Sequence, residues 1–384
     1  MVEPVFKHYD LELKEPPFGS SLTDLIIDLN HLRKKHLGGT TPARVFFQLK
    51  GIFHMLESIG SARIEGNNTT LLEYIETKLE EKSDVSSGIK EIQNIENAMD
   101  FIEKNVKNQP ITRSFICEVH KMIVDGLPLP PKGEGDKNPG KYREANLRIN
   151  HASHLPPDFL QVKDYMAELF DFVNKSDSPK YDLLKIAIAH HRFVWIHPFC
   201  NGNGRTVRLF TYAMLIKQGF NVNVGRIINP TAVFCNNRNL YYDYLQKADS
   251  GETQDILAWC EYVLRGLKEE IEKIDKLLDY EYLSKEILLP TISVSLDRKY
   301  INDIEAKILR RVVDKKSMHS TDLKDIFQGK HSSEISRQIR KLIDKKMLEK
   351  ETPRFYGISF GNNYLLRAII KVLGEKGFLP DLDD

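Results

Sequence analysis

The stretch HPFCNGNGRTVR, His197 to Arg208, lies between two runs that are apolar almost all round. Upstream is YDLLKIAIAHHRFVWI (181–196), and downstream is RTVRLFTYAMLIKQG (205–219). A helix without a polar face belongs inside a bundle, so these runs predict two central, buried helices joined by a short loop. Pro198 disfavours helix at His197 and stops the first; Gly219 ends the second. The N–H groups of Gly202, Asn203 and Gly204 then sit at a helix start, where unpaired donors and the helix dipole favour an anion. Arg205 and Arg208 are three apart and can share a side, and guanidinium groups match phosphate geometry. His197, on the opposite lip, has an ordinary pKa near ~6.5, which suits a general base. The set is suited to holding a di- or triphosphate and deprotonating a hydroxyl beside it, that is, nucleotidyl or phosphoryl transfer. The competing reading is a tight turn between core helices. GNGRT lacks the P-loop spacing, and His190, His191 and His197 come without an H-E-x-x-H pattern or a nearby carboxylate, so a metal centre is not indicated.

Outward from this stretch, apolar residues at spacings of three and four predict helices over 24–35, 43–64, 69–82, 89–106, 111–127, 158–176 and 252–279. One region departs from this pattern. From Pro128 the chain is rich in Pro and Gly and contains NLRIN, so a loop carrying a small hairpin is expected around 141–149. LLPTISVSLDRKY (288–300) reads as a linker. Helices over 303–314, 320–327 and 332–346, then two strands around Pro353, give a winged-helix pattern. The expected organisation is an N-terminal helical region (1–106), a core (107–280), a linker (281–300) and a C-terminal module (301–384). The fold class is all-α, with a small hairpin and an α+β winged helix appended.

The 384 residues suffice for two or three domains. With 55 Lys+Arg against 54 Asp+Glu, bulk charge names no partner. Over 303–356 there are 14 Lys/Arg and 9 Asp/Glu. Arg337, Arg340, Lys341 and Lys345 are therefore candidates for nucleic-acid phosphates, with a protein–protein or dimerisation surface as the alternative. There is no apolar run of membrane-spanning length and the first residues are charged, so a cytoplasmic protein without a membrane partner is expected. Cys117, Cys200, Cys235 and Cys260 are widely spaced, which suggests neither zinc nor disulfides. Cys200 is expected to face inward.

His197-Pro198-Phe199, then Gly202-Asn203-Gly204-Arg205 and Arg208, resembles the Fic family signature. That family is helical and transfers AMP from ATP to a hydroxyl of a target protein. The resemblance implies His197 as base, Gly202, Asn203 and Gly204 around the α/β-phosphates, Arg205 and Arg208 on the β/γ-phosphates, and Phe199 anchoring the loop. Where the family carries an acidic ligand for Mg²⁺, this chain has Asn201. Its neutral oxygen is a poorer ligand for a hard cation and implies weaker metal binding or a preference for Mn²⁺. SARIEGN supplies Ser61, Glu65, Gly66 and Asn67, similar to the family's N-terminal inhibitory motif, in which the glutamate occupies the second motif arginine, here Arg208. The same glutamate permits the reverse reaction, hydrolysis of an AMP–protein bond. Leu147, Arg148 and Ile149 match the target-docking flap, and Tyr241, Tyr242, Leu245 and Asp249 match the adenine side. From a different class stands a DNA-binding regulator that senses nucleotide without catalysis; another nucleotide donor is a third alternative.

Overall fold

The computed structural model describes residues 3–34, 39–80, 84–150, 152–220 and 230–379. The two apolar runs form α7 (Asp182–Ile196) and α8 (Asn203–Lys217), which pack on each other at the centre. Around them lie α4 (Ser87–Asn105), α5 (Arg113–Val124), α6 (Val162–Asn174) and α11 (Thr253–Asp275). Their burial is nearly complete: Phe193, Trp195, Ile196, Val207 and Phe210 are all inaccessible. Trp259 of α11 donates its indole N–H to the Ala187 carbonyl at 2.7 Å, so its one polar atom is satisfied in the core.

Outside this core, α1 (Ser21–Lys34) packs on α11, and α2 (Ala43–Ile64) packs on α4 and on α9 (Pro230–Cys235). α2 ends in a turn at Gly66, whose φ of +100° suits glycine. α3 (Leu71–Leu79) starts with a capping box, in which Thr70 and Glu73 satisfy each other's backbone N–H. α10 (Arg238–Ala248) lies along α11.

The expected linker is helical. Residues 280–297 run from α12 (Tyr280–Tyr282) through a π-turn (Leu283–Leu288) into α13 (Leu289–Asp297). Pro290 falls at the start of α13, where the π-turn gives way to α-helix. Thr291 and Ser295 donate their hydroxyls to carbonyls four residues back, at 2.7 and 2.8 Å. Leu283, Ile287, Leu288 and Ile292 are fully buried.

The C-terminal module contains α14 (Asp303–Lys315), β1 (Met318–His319), α15 (Ser332–Asp344), β2 (Leu348–Lys350), β3 (Phe355–Ile358) and α16 (Leu365–Glu375). β3 is central and antiparallel to both neighbours, pairing Met318 with Tyr356 and Leu348 with Ile358. Two expectations change here. The helix expected over 320–327 is one 3₁₀ turn, Ser320–Leu323, followed by turns, and α16 was not foreseen. Of the four candidate phosphate contacts, Arg337 pairs with Glu334 at 2.8 Å and Lys345 with Glu305 at 2.7 Å; Arg340 and Lys341 are exposed.

The hairpin expected around 141–149 does not form. These residues form bends and irregular backbone without a strand partner, and the chain here is tied elsewhere: Arg143 donates to the carbonyls of Ala145, Pro157 and His197. Among the described residues no helix is long and apolar enough to cross a membrane.

Leu288 distinguishes a packed helix from a linker. Leu288→Ala should lower unfolding stability by about 2–4 kcal/mol in a denaturant titration; a linker residue would change it by less than about 0.5 kcal/mol.

Candidate active site

His197 terminates α7 in the left-handed conformation (φ 51°, ψ 62°), which turns the chain sharply into the loop. Four side chains then hold the loop rigid. Asn203 bridges it internally, accepting from the Phe199 N–H at 2.9 Å and donating to the Phe199 carbonyl at 2.8 Å. Arg143 donates to the His197 carbonyl at 3.0 Å. Asp136 accepts the Asn201 N–H at 2.8 Å. His120 accepts from the Gly140 N–H on Nδ1 (2.9 Å), so its Nε2 carries the proton and donates to the Asn201 carbonyl at 3.0 Å. Burial lowers its pKa to about 4, consistent with a neutral ring. Phe199 is inaccessible and stacks on that ring at 3.7 Å.

The loop opens onto a cavity of about 780 Å³. The end next to the loop is formed by His197, Asn203, Gly204, Arg208 and Glu65, with Arg238 beside them; the other end includes Ile149, His154, Tyr241, Tyr242, Leu245 and Asp249. His197 donates Nδ1–H to the Val194 carbonyl at 3.3 Å, which leaves the lone pair on Nε2. Burial lowers its pKa to about 4, outweighing the Val194 carbonyl, so the ring is a neutral base at neutral pH.

Arg208 is inaccessible and fully engaged. Its Nε donates to Ser61 Oγ at 2.8 Å, and its Nη2 donates to the Ser61 carbonyl at 2.8 Å and to Glu65 Oε1 at 2.7 Å. Burial pulls the Glu65 carboxyl upward, but Arg208 outweighs it and holds the pKa below the usual range. Glu65 raises the Arg208 pKa in return, against burial. The glutamate lies across the start of α8, so that a Cβ on Gly204 would collide with Glu65 Oε1.

Arg205 does not join Arg208 at the cavity. Its guanidinium is inaccessible, with Nη1 at 2.8 Å from Glu91 Oε1 and Nη2 donating to the Glu134 carbonyl at 2.8 Å. A separation of three residues brought the two arginines to neighbouring sides of α8, and buried Glu91 drew one of them away. Gly202, Leu147 and Arg148 are likewise absent from the cavity wall, whereas Ile149 forms part of it. Asn67 stands apart from the cavity, its amide donating to the Gly88 carbonyl and Glu91 Oε2 at 2.9 and 2.7 Å. Cys200 is exposed, contrary to expectation. The three histidines do not converge: His190 binds Thr211 and Tyr241, and His191 binds Tyr9 and Asp249. Arg143, His120, Asp136, Glu91, Glu134 and Arg238 carried no local sequence signal, since each acts across 50 or more residues or through its placement alone.

Asn201 donates Nδ2–H to Glu134 Oε2 and the Gly135 carbonyl, both at 3.1 Å. Its amide is therefore committed as a donor, and among the described residues no three His, Cys, Asp or Glu side chains group as a metal site. These donors do not fit a resident divalent ion.

Residues 110–215 match the Fic/DOC family profile. That segment takes in the His197–Arg208 loop and most of the two central helices. The chain is similar to the protein adenylyltransferase Fic of Culex quinquefasciatus, at 30% identity over 207 residues covering 52% of this chain and 37% of the relative. A Nematostella vectensis protein of the same name is 27% identical over 221 residues, 55% of this chain and 46% of its own. The chain thus spans less than half the length of these curated relatives. The fold resembles that of a Fic family protein from Desulfovibrio desulfuricans G20, with a TM-score of 0.54 and 20% identity, covering 90% of this chain and 98% of that one. The likeness in fold therefore reaches beyond the matched residues 110–215 into most of the chain.

A carboxylate in place of the Asn201 amide would face Glu134 and the Gly135 carbonyl without a donor. Asn201→Asp should cost about 1–3 kcal/mol in metal-free buffer, recovered with millimolar Mg²⁺. Equal melting of both proteins with and without metal would contradict this account of the loop.

Proposed function

We propose that the chain transfers AMP from ATP to a hydroxyl of a target protein and that Glu65 restrains the reaction. The arrangement at Arg208 carries this reading. A buried guanidinium at a helix N-terminus, facing a cavity with a neutral histidine, is suited to a polyphosphate, and Glu65 now holds the position such an anion would take. One fork binds a carboxylate or a phosphate, not both.

In this reading the target's hydroxyl oxygen attacks the α-phosphorus, forming a P–O bond while the bond to the β-phosphate oxygen breaks. His197 Nε2 takes the hydroxyl proton. Pyrophosphate leaves with its charge held by Arg208, the α8 N–H groups and Arg238. The 146–149 segment, outside any helix or strand and with Ile149 on the cavity wall, supports docking of the target by strand pairing. A Mg²⁺ or Mn²⁺ ion would enter with the nucleotide's phosphates, because the chain's own donors do not make a site for it.

A second reading rests on the same carboxylate. Glu65 is ionised, partly exposed to the cavity and adjacent to Gly204, a position suited to orienting water for hydrolysis of an AMP–protein bond.

Intact-mass spectrometry separates these readings. Glu65→Gly incubated with ATP and Mg²⁺ or Mn²⁺ should gain one AMP on itself or on added protein, at least tenfold faster than the unsubstituted chain. His197→Ala should abolish the gain. Equal rates with and without Glu65 would overturn the restraint, and no His197-dependent transfer to any acceptor would overturn the transferase reading.

A further inference from the structure

Glu65 sits at the turn between α2 and α3, and the C-terminal module holds the chain on both sides of that turn. On the α2 side the contact completes a sheet edge. β1 is two residues long and covers β3 only at Phe355 and Tyr356. Ser359 turns its N–H to the opposite side, donating to the Met347 carbonyl at 2.9 Å, so Ile358 and Phe360 on either side of it point theirs past the end of β1. Both residues are buried, and their backbone groups need a partner there. Gln48 of α2 supplies it as a neighbouring strand would. Its side-chain amide accepts the Phe360 N–H at 2.7 Å and donates to the Ile358 carbonyl at 3.2 Å. Arg44, one turn earlier, pairs with Glu349 and Glu351 of the same hairpin. On the α3 side, Glu76 accepts from Arg367 of α16 at 2.9 Å.

The chain from Gln48 to Glu76 is therefore gripped at both ends by one module, with Ser61 and Glu65 between the two grips. α2 runs as one helix from Ala43 to Ile64, which puts Gln48 and Glu65 about 25 Å apart along a stiff rod. What it meets over that distance is mostly apolar: Leu49, Ile52, Phe53, Met55, Leu56 and Ile59 are buried. Apolar contacts are non-directional and tolerate a small shear of a packed helix. The bond from Arg208 to Glu65, 2.7 Å long, is directional and does not. That pair is thus the part of the α2 interface most sensitive to where the helix lies. Two polar ties resist displacement as well: His54 Nε2 lies 2.9 Å from Glu103 Oε1, and Glu57 accepts the Thr231 N–H at 3.0 Å. Loosening the module therefore shifts the helix in part, not wholly.

We propose that the C-terminal module sets how firmly Glu65 holds Arg208, with Gln48, Arg44 and Glu76 as positioning residues for the glutamate. This rests on the reading that Glu65 and a nucleotide phosphate compete for Arg208. While the module grips α2 and α3, the arginine stays occupied; when the grip is released, the arginine is free for the phosphate. The coupling is reciprocal, so a nucleotide bound at Arg208 weakens the hold of the module on α2 by the same factor.

Titration calorimetry of ATP and ADP on the full chain tests this, with Gln48→Ala and Arg367→Ala made separately, one at each grip. Glu65→Gly, which vacates the arginine outright, should favour ATP over ADP about tenfold. Each module variant should move the ratio part of the way, to about threefold, and should leave it unchanged when added to Glu65→Gly. A ratio that stays at the unsubstituted value in both variants, with Glu65→Gly at tenfold, overturns this inference alone. Equal weakening of ATP and ADP overturns it too, since that is the signature of structural damage. So does the same rise with and without Glu65, because the module would then act on the site by another route. If Glu65→Gly itself leaves the ratio unchanged, the competition at Arg208 fails and this inference with it.

Discussion

A buried guanidinium must have its charge answered, and at Arg208 the chain meets that demand on the wall of its cavity. Burying an unpaired charge costs several kcal/mol, so the packing around α8 holds only if something anionic or strongly accepting meets that fork. Ser61 supplies two acceptors and Glu65 supplies the charge. Both come from the end of α2, which apolar packing along most of its length holds against α4 and α9. On the proposed function the same pairing is suited to regulation, because the glutamate that answers Arg208 would compete with an anionic ligand for its fork.

The rest of the site is a frame that cannot easily adjust. The loop from His197 to Gly204 is cross-braced by Asn203 within itself and by Arg143, Asp136 and His120 from outside. Such bracing keeps the α8 N–H groups and His197 in fixed relation, which electrostatic stabilisation of a transferring phosphate requires. Asn201 belongs to this frame. Where a carboxylate would need a cation to sit beside Glu134, an amide is compatible with the same neighbours unaided.

Much of this could be read from residue order alone, and the physical reason is locality. Helix periodicity, a proline after His197 and glycine at the loop are local signals, so the central pair and α2, Ala43–Ile64, emerged with bounds close to those observed. The cavity residues Tyr242, Leu245 and Asp249 came from resemblance to a family and lie on the cavity wall. Features set by distant partners were not legible. Nothing within Arg205's own segment announces that Glu91, more than a hundred residues away, will claim it. Pro290 and the hydroxyl-rich TISVS looked like a linker because the breakers were visible, whereas the burial of Ile287, Leu288 and Ile292 that overrides them depends on α14 and α16. The hairpin around 141–149 failed for a similar reason: alternation predicts an extended strand, but a strand needs a partner, and Arg143 ties the adjoining chain to α7's end instead.

Glu65 and a terminal phosphate competing for Arg208 is the claim on which the functional account turns, and comparing ADP with ATP tests it most directly. Titration calorimetry on the unsubstituted chain should give nearly equal affinities, because the γ-phosphate has nowhere favourable to go while Glu65 holds the arginine. With Glu65→Gly, ATP should bind about tenfold or more tightly than ADP, as the extra phosphate takes the vacated fork. An ATP-to-ADP ratio that is the same in both proteins would contradict the competition, and Arg208 would then be a structural arginine whose pairing with Glu65 only holds α2 to the core.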